Sequence, residues 1–440
     1  MPAESVLMRF VEGEGTADLD ACLKAGGYEA ARHALTTLTP ESVIDIVDQS
    51  GLRGKGGAGF PTGRKWKFIP KGAPVKYVVV NGDEAEPCTF KDHMLLERAP
   101  HLLVEGIIIT AYAVGAHRAY AYVRREGYLA RERLRQAVAA AYERGFLGRK
   151  IFGTDMDLDV VVHTGAGAYI AGEETALLES LEGRRAMPRQ RPPFPAVAGL
   201  YGKPTVINNV ETLSHLPAVI RLGPEAYRSL GPPALFSVSG HVRRPGVYEL
   251  PLGTPMHELI EHAGGLREGR RFKAAFPGGS SSAILTAEHL DVPMDYEPLR
   301  VAGSMLGSAS LIVMDDTTCI VRVVARAVGF YKEESCGKCT PCREGTYWLS
   351  LVFDRILHGR GRMEDLDLLA HISKGLNGTC FCLLGESVPP SLDASLQHFR
   401  HEYEYHIGTG RCDVEDRLPP QHFAARSTGD PGAAAGTPGA

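Results

Sequence analysis

Residues 75–87 read "VKYVVVNGDEAEP". The β-branched run of 75–80 predicts a short buried strand. Directly behind it stand Asn81, Asp83, Glu84 and Glu86. In α/β sheets, ligands bind beyond the carboxyl ends of strands, so this acidic turn predicts a binding edge. Its three carboxylates suit ribose hydroxyls as hydrogen-bond acceptors, and they repel a 2′-phosphate.

Outward from this stretch, strand and helix signals alternate. "LLVEGIIITAYAVGA" (102–116) predicts a buried helix, "RAYAYVR" (118–124) a second strand, 129–145 a helix and "LDVVVHT" (158–164) a third strand. That alternation predicts a parallel, Rossmann-like α/β layer. Residues 1–60 read as a helical region, with "PESVIDIVDQS" (40–50) as its clearest helix, ending in a glycine-rich loop. The α/β layer fills 61–229. From 230 the pattern changes to strands "ALFSVSGHV" and "GVYELP" joined by "RRPG", a hairpin signal. Thr254 is positioned to cap a helix with Pro255 in its first turn. A strand at "FKAAFPGG" follows, so 230–318 reads as a small β-grasp unit. The remaining periodic sequence, 319–415, reads as a helical bundle. Residues 416–440 lack core-forming side chains and read as a disordered tail.

The chain has 440 residues, enough for two to four domains. Its net charge of −4 gives no basis for nucleic-acid binding. The longest apolar run, 102–114, is too short to span a bilayer and carries Glu105. The start lacks a signal-peptide pattern. The expectation is a cytoplasmic protein that meets a membrane only through partners. Nine cysteines do not form a disulfide framework, and five of them fall between 336 and 382. In a reducing compartment such clustering points to metal.

The densest cysteine run is "SCGKCTPCR" (335–343). Cys336, Cys339 and Cys342 at C-x2-C-x2-C spacing suit the corners of an iron–sulfur cubane. Zinc more often uses two separated pairs. The fourth ligand is not local, because Gly345 and Thr346 stand where it belongs. "GTCFCLLG" (378–385) offers Cys380 or Cys382, and spacing does not choose between them. Cys22, Cys88, Cys319 and Cys412 read as inert thiols.

"GKGGAG" (54–59) fits G-x-G-x-x-G, although a helix precedes it and the strand comes later. Arg53, Lys55, Arg64 and Lys65 lie in or beside it. Freed backbone N–H groups and nearby cations predict a phosphate cradle, with Phe60, Trp66 and Phe68 available to stack a heterocycle. The alternative is a mobile loop with solvated charges. Glu173 and Glu174 open a helix, where acids are favoured in any case. Asn209 reads as an N-cap, and with Asn208 it also offers ligand contacts.

Taken in order, "GLRGKGGAGFPTGRKW", "NGDEAEP", "FKD", "GAGAYIAGEETALLESLEG", "PPFPA", "KPTVINNVETL", "GSMLGS" and "ESCGKCTPCREGT" resemble the family of NADH-binding FMN subunits of respiratory complex I, over about 40–410. The resemblance implies a Rossmann-like FMN and NADH domain, a ubiquitin-like domain and a helical bundle with a [4Fe-4S] cluster. It implies Cys336, Cys339, Cys342 and Cys382 as cluster ligands. It implies flavin contacts at Gly54, Gly56, Gly57, Lys65, Asn81, Asp83, Gly172, Asn208, Asn209 and Leu384. Nicotinamide and ribose contacts map onto Glu84, Glu86, Tyr169, Glu173 and Glu174, and adenine onto Phe60, Phe68 and Phe194.

The implied reaction is NADH oxidation by hydride transfer to FMN, then single-electron passage to the cluster and onward to partner clusters. No side chain acts as acid or base, while Glu86, Glu174 and Tyr169 position the nicotinamide. The implied partners are the [2Fe-2S] subunit and the multi-cluster iron–sulfur subunit of the complex I peripheral arm, on the cytoplasmic side of the inner membrane. A second reading is the diaphorase subunit of an NAD-reducing hydrogenase or formate dehydrogenase. A non-catalytic cluster carrier and an NADH sensor are further alternatives. Three positions depart from the family pattern: Arg191 for a frequent lysine, Cys88 for the usual glycine and Ala171 for a frequent cysteine.

Overall fold

The computed structural model describes residues 5–12 and 16–417. The first sheet contains β1 (Tyr77–Gly82), β2 (Arg118–Val123), β3 (Asp159–Thr164) and β4 (Thr205–Asn209). All four strands run parallel in the order β3-β2-β1-β4. The chain winds outward from β1 to β3 and then returns to the other side of β1. Winding therefore reverses between β1 and β4, which opens a crevice at their carboxyl ends. Register sets Asn81 beside Asn209 and Val80 beside Asn208. The predicted parallel layer is present. Sequence reading misses β4, a five-residue strand that runs straight into a helix cap.

Helix Pro100–Val114 supports this sheet, and every residue of it except Tyr112 is buried. A helix apolar on all sides has to be covered on all sides. Its one acid, Glu105, accepts the N–H of Ala31 at 3.0 Å, near the start of helix Glu29–Thr37. Burial pushes that carboxyl up to about 7. The N-terminal helices share a continuous core with the sheet, from Phe10, Tyr28 and Val43 to Val78 and Ile107. No helix among the described residues is long and apolar enough to cross a membrane.

The second sheet contains β5 (Pro233–Gly240), β6 (Gly246–Pro251), β7 (Phe272–Phe276), β8 (Leu285–Thr286) and β9 (Ser310–Asp315). Its order is β6-β5-β9-β7-β8, with β5 and β9 parallel and the other pairs antiparallel. Helix Met256–His262 buries Met256 and Leu259 against Phe236, Val238 and Leu311. Thr254 does not cap this helix. Its hydroxyl donates to the Pro251 carbonyl at 2.8 Å and closes the turn after β6, while Pro255 takes the cap position.

Beyond β9 the described chain is helical: Ile320–Glu334, Thr340–Leu357, Glu364–Leu376, Leu383–Glu386, Val388–Thr409 and Asp413–Arg417. The longer helices share a core that includes Val324, Val328, Leu349, Phe353, Leu369 and Tyr403. Of the tail expected over 416–440, Asp416 and Arg417 belong to the last helix, and the rest lies outside the described residues.

A tight packing constraint lies at Gly106. A Cβ there would sit 2.1 Å from the carbonyl oxygen of Leu213, in helix Val210–Ser214. Backbone cannot yield as a side chain does, so Gly106→Ala should destabilise by at least about 1–3 kcal/mol. A fall in Tm on thermal unfolding is the expected outcome, and an unchanged Tm would contradict this packing.

Candidate functional site

The glycine loop closes on itself. Gly54 N–H donates to the Phe60 carbonyl at 2.8 Å, and Thr62 N–H to that of Leu52 at 2.9 Å. Tyr296, brought over from beyond β8, locks it: its hydroxyl donates to the Gly54 carbonyl at 3.1 Å. Arg53 lies over the Tyr296 ring at 4.1 Å, and its Nε donates to the Gly59 carbonyl. Gly59 has φ of +61°, and a Cβ there would meet the tyrosine ring at 2.2 Å, so only glycine fits. Gly56 rests against Asn209 at the end of β4. Among the described residues no backbone acceptor takes the N–H of Gly56 or Gly57.

Of the four cations expected around this loop, Arg53, Lys55 and Lys65 have other duties. Lys55 is buried and donates to the Pro233 carbonyl at 3.0 Å, and burial lowers its pKa to about 8. Lys65 pairs with Glu174. Trp66 is not a stacking surface, because it is buried and donates to Asn208 Oδ1 at 3.0 Å. Phe60 and Phe68 are exposed with ring centres 6.2 Å apart, and Phe194 is exposed as well.

At the end of β1, Asn81 accepts the N–H of Asp83 at 3.1 Å and donates to the Gly172 carbonyl at 2.8 Å. This ties the acidic turn to the segment preceding helix Glu174–Leu181. Asp83 is buried with neither carboxylate oxygen hydrogen-bonded. Burial raises its pKa to about 7, and Arg124 partly offsets that rise. Two unsatisfied buried acceptors at the mouth of a crevice are costly unless a donor reaches them.

The other acids of the turn are committed elsewhere. Glu84 accepts the N–H groups of Asp92 and His93 at 2.8 and 2.9 Å and contacts His93 Nδ1 at 2.6 Å. Its carboxylate is thus spent at the start of helix Lys91–Arg98 rather than offered to a ligand. Glu86 accepts Tyr169 Oη at 2.7 Å, Ser281 N–H at 2.9 Å and Ser280 Oγ at 3.2 Å. It fixes Tyr169, whose ring packs edge-on against Phe330 and Tyr331. Glu173 caps helix Glu174–Leu181 through the N–H groups of Thr175 and Ala176, and Arg191 lies 3.5 Å away. Asn209 caps helix Val210–Ser214, as its sequence position implies. Sequence reading misses Tyr296, Ser280 and Ser281. The only signal for the serines is the run "PGGSSS" behind β7.

The departures from the family pattern also have a structural account. Cys88 adopts φ of +66°, the left-handed conformation that glycine favours. Ala171 is buried beside Leu177 and Val79.

The cysteines meet in a concavity lined by Pro188, Cys336, Cys339, Cys342, Cys382 and Leu384, among others. Helix Thr340–Leu357 carries Cys342 on its first turn, and the loop before it carries Cys336 and Cys339. Cys382 immediately precedes helix Leu383–Glu386. Cys380 does not line the concavity; its sulfur lies against Gly385. Burial and the neighbouring thiols raise Cys382 to about 11, and Glu173 is among the charges that act on it. Ala168 and Tyr169, just before Gly172, pack against the same core as Cys336, Cys339 and Cys382, which brings the thiol quartet beside the segment that borders the crevice. Lys338 reaches the Pro188 carbonyl and lies 4.2 Å from the centre of the Phe381 ring.

Residues 47–218 match the Nuo51 FMN-binding domain, 235–284 the SLBB domain and 322–406 the NADH-ubiquinone oxidoreductase-F iron-sulfur binding region. The F subunit of NADH-quinone oxidoreductase from Mycobacterium tuberculosis is 56% identical over 401 residues, 89% of this chain and 90% of the relative. Its Escherichia coli namesake is 45% identical over 395 residues, covering 88% and 89%. Among solved structures, an air-oxidised NAD+-reducing [NiFe]-hydrogenase aligns with a TM-score of 0.79 at 34% identity, over 92% of this chain and 67% of that one.

Asp83 gives the site a pH signature. Its folded pKa of about 7 lies above the ordinary carboxylate range, so the folded form holds this proton more tightly than the unfolded chain. Its contribution to stability therefore falls as pH rises from about 4 through 7. Asp83→Asn should stabilise the ligand-free protein, little at about pH 5 and most at about pH 8. Denaturant unfolding at both values checks this, and an equal gain at the two would sink it.

Proposed function

This chain belongs to the family of F subunits of NADH-quinone oxidoreductase, and from that premise we propose that it is the NADH-oxidising, electron-input component of such a complex. The observation that carries the reading is the crevice with the orphaned Asp83 carboxylate adjoining a concavity lined by four thiols. Both fit the implied groups. FMN brings hydroxyl donors that Asp83 lacks and a phosphate that suits the free N–H groups of the glycine loop. The thiol set suits a [4Fe-4S] cluster.

When bound, FMN and the iron–sulfur cluster would supply the redox chemistry, coupling two-electron hydride chemistry to one-electron transfer. The chain's own residues bind and orient. Gly56 and Gly57 offer their N–H groups to the flavin phosphate and Gly54 closes the loop around it, while Asn81, Asp83, Gly172, Asn208 and Asn209 border the crevice. The Lys65–Glu174 pair stands at its edge. Glu86 acts through Tyr169, holding that ring beside the nicotinamide position. Phe60, Phe68 and Phe194 offer exposed faces for adenine. Cys336, Cys339, Cys342 and Cys382 hold the cluster, and Leu384, the flavin contact implied at the bundle end, lines the same concavity. Lys338 and Arg343 place positive charge near it, which favours the reduced state.

The same reading assigns 61–229 to the FMN and NADH domain after the helical region 1–60, and 319–415 to the cluster-binding bundle. The order of the second sheet supports a ubiquitin-like β-grasp unit over 230–318. A [2Fe-2S] subunit and a multi-cluster iron–sulfur subunit are the partners, and the complex attaches at the cytoplasmic face of the inner membrane. The likeness to a hydrogenase keeps a diaphorase as the second reading.

Purified protein should contain one FMN and about four irons per chain. Zinc in place of that iron, or protein that takes up no flavin on reconstitution, would overturn the assignment. NADH should exceed NADPH in kcat/KM with ferricyanide, because the negative charge of the acidic turn, though hydrogen-bonded within the protein, repels a 2′-phosphate; equal use of both nucleotides would argue against this pocket. Cys382→Ser should abolish or strongly perturb the EPR signal of the NADH-reduced cluster and collapse quinone reduction, with ferricyanide reduction retained while flavin stays bound. Cys380→Ser should leave the signal nearly intact. The reverse pattern would make Cys380 the ligand.

A further inference from the structure

A second set of soft donors lies at the far end of the helical region. Cys319 immediately precedes helix Ile320–Glu334, His406 lies in the last turn of Val388–Thr409, and Cys412 precedes helix Asp413–Arg417. They are 7, 2 and 1% exposed. Their sulfur and ring-nitrogen donors all lie within 4.8 Å of one another, and Cys319 Sγ is 3.3 Å from His406 Nε2. None of the three lines the concavity of the thiol quartet.

From this convergence we propose that Cys319, His406 and Cys412 bind a zinc-like divalent cation. Zinc takes sulfur at about 2.3 Å and imidazole nitrogen at about 2.0–2.1 Å in a tetrahedron. Donors around such an ion are therefore separated by about 3.5–3.8 Å, close to the arrangement already present. Two thiolates, a neutral imidazole and a dication sum to zero charge, which a buried site requires. Binding releases the two thiol protons to solvent. A water completes the coordination. Glu402, one turn before His406, is not free to do so: its Oε2 accepts the Ile320 N–H at 2.8 Å and its Oε1 pairs with Lys273 at 2.5 Å.

The consequence is a clamp. The ion joins the first residue of the helical region to its last described turn, and every cysteine of the quartet lies between. Sequence reading takes Cys319 and Cys412 as inert, because residues so far apart in the chain show no local motif.

The test is metal analysis of the full-length protein with flavin and iron bound. About one zinc per chain should accompany about four irons and survive dialysis against a chelator. Zinc-edge X-ray absorption of the wild type should show two sulfurs plus lighter atoms. Cys412→Ser and His406→Ala should lower zinc about tenfold with iron retained. Cys22→Ser, at a buried thiol elsewhere, should keep it. Three results overturn the proposal: no zinc in iron-replete wild type, a four-sulfur zinc shell that marks misloading of the quartet, or a Cys319–Cys412 disulfide in the intact mass. The wild-type measurements decide the matter even if a variant fails to fold.

Discussion

The arrangement hangs on one buried cation. Lys91 is 1% exposed, with its ammonium 2.8 Å from Glu211 and 2.9 Å from Asp92. Burial alone would lower its pKa, but the surrounding carboxylates hold it well above the usual lysine range. The same knot spreads outward. Asp92 takes the Asn209 amide, Glu211 accepts the N–H of Leu235 in β5, and Glu84 receives the N–H groups of Asp92 and His93. Thus the ends of β1 and β4, helix Lys91–Arg98 and the first strand of the second sheet meet on one set of charges. Removing one partner of a buried pair costs about 3–5 kcal/mol, because the other charge is left unpaired. The knot underlies the crevice, so the geometry of Asp83 and Asn209 is inherited from it.

Much of this was legible in the sequence, and the reason is periodicity. β1, β2 and β3 show as β-branched or alternating runs, and helix Pro100–Val114 shows as an unbroken apolar stretch. The cysteine spacing named its own chemistry. Side-chain direction was not legible. Lys55, Trp66 and Glu84 stand where a ligand contact was expected, yet each turns into the interior to satisfy a carbonyl, an amide or a helix start. Which of two neighbouring polar groups faces a cavity depends on elements far away in the chain, and no local window contains them. Tyr296 is the clearest case, since the loop it locks lies over two hundred residues earlier.

The choice between Cys380 and Cys382 shows the same limit. The two flank Phe381, and spacing ranks them equally. In the structure Cys382 immediately precedes helix Leu383–Glu386 and lines the concavity, whereas Cys380 Sγ lies against Gly385. Lys338, which reaches across to Pro188, ties the cysteine loop to the segment behind the first sheet.

Glu86 carries one more implication, concerning the order in which the chain is made. Synthesis runs from the N-terminus, and β4 completes the first sheet at Asn209. At that point Glu86 has Tyr169, but Ser280 and Ser281 have not been synthesised, nor has Tyr331, whose hydroxyl lies 3.0 Å from Ser280 Oγ. A carboxylate destined for burial remains half-satisfied until roughly seventy residues later in translation. Until those serines emerge, the Tyr169 hydroxyl is the one protein donor among these that can reach Glu86, and water has to serve the rest of the carboxylate.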